Sequence, residues 1–177
     1  MRVFVAACAG LLTLGGSAGA MAQNAGPTDP QIAAIVVTAN QVDIDASKLA
    51  ESKSTSKEVK EFAARMITDH GGVNKSATEL VTKLHVTPQP NATSKSLQDG
   101  GDQNLAALKK LSGSAFDRAY VDHEVVYHQA VLDAVDQTLI PSAQNAELKA
   151  LLVKVRPAFV AHLEHAKHLQ AALGQKS

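Results

Sequence analysis

The sequence predicts an all-α protein, a four-helix bundle with a long connection between its second and third helices. Apolar residues recur at spacings of three and four through every long segment, which is the period of one helix face. No segment shows the alternation of apolar and polar residues that is typical of strands. The chain has no tryptophan, four phenylalanines and two tyrosines. Its core must therefore be largely aliphatic, which suits closely packed helices.

Residues 1–22 are predicted to be a secretory signal peptide. They contain one basic residue, Arg2, then an apolar run over 3–14 and a small-residue tail at 20–22. This is the order of a signal with a cleavage site before Gln23. Glycines dilute the segment, so it makes a poor membrane-spanning helix. We therefore expect an exported, periplasmic protein with no membrane span after signal cleavage.

The composition of the rest limits the classes of function. A linker at 23–28 and a domain at 29–174 remain, about 155 residues, which is the size of one domain with a substantial core. The chain has 17 basic and 17 acidic residues and no basic block, which argues against nucleic acid as a partner. Its one cysteine, Cys8, lies in the predicted signal, so the mature chain would have no thiol nucleophile and no disulfide.

Helices 1 and 2 are predicted to form an antiparallel hairpin. Asp29 followed by Pro30 is typical of a helix start, and the stripe of helix 1 continues to about Glu51. A short serine-rich turn leads into helix 2, which is predicted over 56–84. His70 falls near the centre of the apolar stripe of helix 2. An imidazole in that position needs a partner, because an unpaired buried polar group is costly.

The segment 86–113 is predicted to be mainly an extended connection. It contains two prolines, several serines and threonines, and Gly100 followed by Gly101, with a short helical piece near 105–111. The connection is long enough to travel the length of a bundle. It therefore permits a crossover, as in ferritin-like folds, and a simple up-down bundle stays open.

Helices 3 and 4 complete the predicted bundle. Helix 3 begins near Ser114 and ends at Pro141, and helix 4 runs from about Asn145 to Gly174. Pro157 is expected to kink helix 4.

Each predicted helix places a candidate metal ligand in or beside its core stripe. Imidazoles and carboxylates from facing helices are the groups that form transition-metal sites inside bundles. Counted from the turns, these residues lie within one to two helical turns of one level, and Asp43 joins them only in the crossover topology. The candidate ligands are Asp43, His70, Glu124, His128 and His162.

Other readings of the same residues stay open. The histidines can equally be hydrogen-bonded core residues of a metal-free protein, with Asp69 as an acceptor for one ring. A ferritin-like di-iron enzyme needs two Glu-x-x-His motifs, and the sequence has none. It also has no glycine-rich phosphate loop and no nucleophile elbow. These absences favour a non-enzymatic role and leave a redox enzyme of the ferritin-like kind as the weakest of the open hypotheses.

Three motifs together resemble the bacterial exported family called domain of unknown function 4142. They are Val-Lys-x-Phe-Ala-x-x-Met-Ile-x-Asp-His at 59–70, Phe-Asp-x-x-Tyr at 116–120 and Arg-Pro-x-x-x-x-His-Leu at 156–163. The resemblance covers nearly all of 30–173. Members are often labelled predicted outer-membrane proteins, and the resemblance implies a ferritin-like helical bundle, with outer-membrane association as one possible location.

The same resemblance bears on the candidate ligands. The recurrent histidines of the family match His70, His128 and His162. Asp43 stands where the family has a longer glutamate, and Glu124 stands where it usually has methionine. The family label brings no established activity.

The sequence therefore leaves two main hypotheses for the function. The first is an exported ferritin-like bundle that binds a transition-metal ion, for metal buffering or envelope stress tolerance. The alternative is a metal-free structural or interaction module of the cell envelope. The sequence names no protein partner for either.

Overall fold

A computed structural model describes residues 26–175, and these residues fold into five long helices without any strand. The predicted all-α class is confirmed. The predicted count of four helices is not confirmed, because much of the expected extended connection is itself helical. The predicted signal peptide lies outside the described residues. The helices are α1 (Asp29–Lys53), α2 (Lys57–Lys83), α3 (Ala92–Lys109), α4 (Gly113–Ala134) and α5 (Ala146–Gln175).

α4 does not end as a regular helix. It passes into a wider π-helical turn over Val135–Leu139 and then into one more short helical segment, Ile140–Ser142. Such turns insert an extra residue into the helix and are frequent at functional sites. None of the helices within the described range is both long enough and apolar enough to cross a membrane.

Hydrogen bonds at the two ends of the molecule fix the direction of each helix. At one end the backbone N–H of Gln89 donates to the carbonyl oxygen of Pro30 at 2.9 Å, so α3 starts beside the start of α1. At the other end the Lys53 ammonium donates to the carbonyl oxygen of Lys109 at 2.6 Å, so the two helices also end together. α3 thus crosses the whole length of the molecule parallel to α1. As a result, α2 and α4 run in the same direction as each other and opposite to α3.

The start of α1 is also tied to the start of α5. The Asp29 carboxylate accepts hydrogen bonds from the backbone N–H groups of Gln144 and Asn145, both at 2.9 Å. Asn145 in turn accepts from the N–H groups of the first turn of α5, which is the usual role of a helix N-cap. α1, α2, α4 and α5 therefore surround one interior, with α3 lying outside them along α1.

Two features of α3, its N-terminal cap and a glycine packed against α1, explain why this glycine-containing segment is helical. The Asn91 side chain accepts from the backbone N–H groups of Thr93 and Ser94, which caps the helix. Gly101 is buried and faces α1, and a Cβ atom built there would lie 2.7 Å and 2.8 Å from the two Cγ atoms of Val42. The glycine therefore permits close helix packing and does not mark a loop.

The two adjacent glycines of α3 give a matched test of this packing. We expect Gly101→Ala to lower the free energy of unfolding by about 1–3 kcal/mol, because the new methyl group overpacks the stiff, buried side chain of Val42. Gly100 has no atom within 4 Å of a built Cβ, so Gly100→Ala is expected to raise stability by about 0.5–1 kcal/mol. Urea denaturation of both variants measures the difference, and equal effects would contradict the docking of α3 on α1.

Candidate metal centre

The five candidate ligands meet in the interior between four helices. Asp43 comes from α1, His70 from α2, Glu124 and His128 from α4, and His162 from α5. None of these side chains belongs to a residue more than 3% exposed. The crossover made by α3 brings Asp43 to the same level as the histidines. This is the topology in which the sequence predicted that Asp43 would join the candidate ligands.

The three imidazoles form a nearly equilateral triangle. The ring centroids lie 5.5 Å apart for His70 and His128, 5.2 Å for His70 and His162, and 5.4 Å for His128 and His162. One ring nitrogen from each lies within 4.8 Å of those of the other two. The ring of Phe159 stacks on His70 at 5.3 Å, which fixes one face of that imidazole.

The outward ring nitrogens of His70 and His128 are held by hydrogen-bond acceptors. Nδ1 of His70 lies 2.7 Å from Oδ1 of Asn40, and the Asn40 amide is oriented by donating from Nδ2 to the carbonyl oxygen of Val36 at 2.9 Å. Nδ1 of His128 lies 3.0 Å from the backbone carbonyl oxygen of Glu124. Because each partner is an acceptor, each Nδ1 carries the proton and each Nε2 keeps its lone pair.

His162 is oriented in the same way through its other nitrogen. Its Nε2 donates to Oδ2 of Asp69 at 2.8 Å, so Nδ1 keeps the lone pair. Asp69 also accepts from Nε of Arg65 at 3.2 Å. The predicted acceptor role of Asp69 for a histidine ring is confirmed. Carboxylates, amides and backbone carbonyls in such positions are the outer partners that commonly orient metal-binding histidines.

The inward atoms of this cluster have no hydrogen-bond partner among the described residues. Four of them are Nε2 of His70, Nε2 of His128, Nδ1 of His162 and Oδ2 of Asp43, and both carboxyl oxygens of Glu124 also have no partner. Oδ2 of Asp43 lies 3.4 Å from Nε2 of His70 and 3.6 Å from Nε2 of His128. Buried polar atoms are nearly always paired, so four converging atoms without partners require an explanation.

The two separations from Asp43 fit pairs of ligands on one transition-metal ion. Two ligand atoms that each lie about 2.0–2.1 Å from a tetrahedral ion are roughly 3.4 Å apart. The separations of 3.4 Å and 3.6 Å from the Asp43 oxygen to two ring nitrogens are close to that value. Three neutral imidazoles and a carboxylate also have the chemistry that zinc, copper, iron and nickel accept.

Burial keeps His70 and His162 neutral. The pKa of His70 is lowered well below its usual value, first by loss of water and then by the neighbouring rings of His128 and His162. Burial also lowers the pKa of His162 to about 4, although its hydrogen bond to Asp69 acts in the opposite direction. Neutral rings with inward lone pairs are the form that binds a metal ion.

The two carboxyl groups are shifted in the opposite direction. Burial raises the pKa of Glu124 to about 8. The pKa of Asp43 is raised well above its usual value by burial and then by the charge of Glu124. A cation in the centre would stabilise the ionised form of both groups, which burial alone disfavours.

A hydrogen-bond chain supports Asp43 from the side away from the histidines. Oγ of Ser47 donates to Oδ1 of Asp43 at 3.1 Å and lies 2.8 Å from the hydroxyl of Tyr120. Neither Ser47 nor Asn40 was singled out for this role from the sequence. Their signal is the spacing of Asn40, Asp43 and Ser47, which puts three polar residues on the buried face of α1.

The fold and this centre define an all-α protein with a buried imidazole and carboxylate cluster shared by four helices. The chain belongs to the family described as Domain of unknown function (DUF4142), whose model matches residues 15–169. The resemblance based on the three motifs is thereby confirmed. No curated protein and no solved structure matches the chain.

Proposed function

We propose that this protein is an exported ferritin-like bundle that binds one transition-metal ion through His70, His128, His162 and Asp43. The observation that carries the proposal is a buried group of three imidazoles, with one ring nitrogen of each within 4.8 Å of the others, and an Asp43 oxygen without a partner 3.4 Å and 3.6 Å from two of the rings. Export is supported by the signal-like pattern at 1–22. Metal buffering or tolerance of envelope stress is the role that such a site would serve.

The arrangement of the helices supports the ferritin-like part of the proposal. α1, α2, α4 and α5 surround the cluster, and α3 acts as the long crossover that distinguishes this topology from an up-down bundle. The chain lacks the paired Glu-x-x-His motifs of di-iron enzymes. The proposal is therefore a binding site and not a ferroxidase.

One ion fits the cluster better than two. Glu124, Asp43 and His128 form a second group of close ligand atoms, so a second ion would have to share His128. Nδ1 of His128 is occupied by its hydrogen bond to a carbonyl, which leaves a single nitrogen for coordination. Glu124 belongs only to this second group, and its Oε2 lies 3.4 Å from Nδ1 of His128, so it borders the site of the proposed ion beside Asp43.

Elemental analysis of the protein purified from the periplasm tests this function. We expect about one transition-metal ion per chain in the wild type and less than about 0.1 in a His70→Ala and His162→Ala double variant, because only two strong ligands remain. Mass spectrometry of the same sample should find Gln23 as the first residue.

A second double variant provides the control. His85 and His168 are exposed and lie outside the cluster, so His85→Ala with His168→Ala is expected to retain the metal of the wild type. Circular dichroism checks that both variants are folded. Absence of metal from the wild type, with the His70 and His162 variant merely less stable, would favour the metal-free structural or interaction module.

A further inference from the structure

The crossover helix α3 leaves a cavity on its far side. α3 packs along α1 and has few contacts with α4, and the gap between them encloses about 150 Å³. Leu97 of α3 forms one wall, and Leu152, Val155 and Phe159 of α5 form the floor. Val135 and Leu139 of the π-helical turn close one end.

The walls of this cavity offer almost no free polar group. Asn40 and Tyr127 reach the wall, but their polar atoms are already paired. The Asn40 amide bonds His70 and the Val36 carbonyl, and the Tyr127 hydroxyl donates to the carbonyl oxygen of Ala39 at 2.9 Å. No charged side chain lines the cavity. Apart from the Thr93 hydroxyl, the lining offers an occupant no free hydrogen-bonding group and no charge, so water is poorly held there.

The size of the cavity is unusual for a protein interior. Cores are packed as densely as organic crystals, with few voids larger than a water molecule. An apolar cavity of about 150 Å³ stays dry and accepts a benzene molecule or a xenon atom. Here small side chains, those of Ala39, Ala130 and Ala134, leave the space that larger residues would fill.

The cavity is also accessible from solvent. Thr93 of α3 and Ala130 of α4 are both exposed and lie at its edge. A small molecule can thus enter between α3 and α4 without unfolding the core.

We propose that this cavity is a binding site for a small uncharged apolar molecule, a short hydrocarbon or an unsubstituted aromatic ring. This inference does not depend on metal binding. The cavity nevertheless borders the metal centre, because Asn40 and Phe159 contact both the cavity and the ring of His70.

Titration of benzene into the metal-free protein, followed by methyl NMR, tests this proposal. We expect saturable shifts in the methyl signals of Val36, Val131 and Val155, which line the cavity. Benzoate has the same ring with a charge that the walls cannot pair, so it should produce no saturable shift in these signals. Absence of a saturable response to benzene up to its solubility limit would overturn the proposal.

A pair of variants locates the binding. Ala134→Leu adds a side chain at the cavity wall and is expected to weaken benzene binding by about tenfold or more, since it occupies the ligand's volume. Ala171→Leu makes the same change at an exposed position of α5 away from the cavity and should bind like the wild type. Unchanged binding by a folded Ala134→Leu variant would contradict this location.

Xenon supplies a measurement that needs no variant. Crystals of the wild-type protein held under xenon pressure are expected to show xenon between Leu97 and Phe159. Crystals without xenon at that place would contradict the proposal even where Ala134→Leu fails to fold.

Discussion

Replacing Asp43 with asparagine is expected to abolish metal binding and to make the metal-free protein more stable. The carboxylate oxygen that faces His70 and His128 has no hydrogen-bond partner and is fully buried. An asparagine amide in its place would donate to one of the two ring lone pairs, while its oxygen keeps the hydrogen bond from Ser47. The buried carboxyl group of the metal-free protein must either take up a proton or stay charged without a partner, and a neutral amide avoids both costs, so we expect a gain of about 1–3 kcal/mol in unfolding free energy.

The loss of metal affinity has a separate cause. Asparagine removes the negative charge that balances the ion, and it presents a weaker ligand at the same distance. Loss of an outer hydrogen-bond partner typically weakens metal binding by 10–100-fold, so loss of this direct ligand should exceed about 100-fold. Calorimetric titration with zinc measures the affinity, and urea denaturation with a chelator present measures the metal-free stability.

Asp45 provides the control for Asp43. It lies two residues further along α1 and its carboxylate accepts from the exposed side chain of Gln41. Asp45→Asn is expected to change neither property by much. A less stable metal-free Asp43→Asn protein with unchanged zinc affinity would instead assign the cluster to structural packing.

Much of the candidate metal centre was predictable, because helix periodicity indicates which face of a helix each side chain lies on as well as where the helix is. The stripe of α2 put His70 on the buried face, and counting from the turns put Glu124, His128 and His162 at one level. That prediction needed only a regular helix, and all these residues are buried together in the fold. The role of Asn40 as the outer hydrogen-bond partner could not be predicted in this way. It depends on how the His70 ring is rotated about the side-chain bonds of His70, which periodicity does not report.

Only the last part of α3 was predicted, as a short helical piece near 105–111, and the rest was missed because its own sequence opposes a helix. Gly100 and Gly101 are unfavourable inside helices, and nearby prolines suggest extended structure. Contact with Val42 of α1 outweighs this local preference, and no pattern within 86–113 reports a contact with residue 42. The cavity could not be predicted from the sequence either, because it is a gap between α3 and α4 and depends on how the helices pack together.

The stability of the metal-free protein is expected to fall as pH rises from about 6.5 to about 8. Burial raises the pKa of Glu124 from 4.5 to about 8, so the folded state holds a proton that the unfolded state has released over this range. Folding is then weakened with every further rise in pH. Glu124 alone contributes a loss of about 2 kcal/mol over this interval, at 1.36 kcal/mol for each pH unit, and the raised pKa of Asp43 acts with the same sign.

The buried histidines explain why the fall begins near pH 6.5. The pKa values of His70 and His162 are lowered by burial, so below about 6.5 the unfolded state binds their protons and their contribution to stability rises with pH, against the fall from the carboxyl groups. Above that value His70 and His162 are neutral in both states, and the raised pKa values of the two carboxyl groups set the slope. The two opposing contributions predict a maximum in stability or a shoulder near that pH.

Urea denaturation at several pH values with a chelator present checks this behaviour. Glu124→Gln keeps the shape of the side chain without the titrating proton and should flatten the curve above pH 6.5, whereas Glu51→Gln at an exposed position of α1 should leave it unchanged. A wild-type curve that is level or rising from pH 6.5 to 8 would contradict the assignment. With zinc bound the slope should reverse, because the ion competes with protons for the same buried groups and binds more tightly as they are lost.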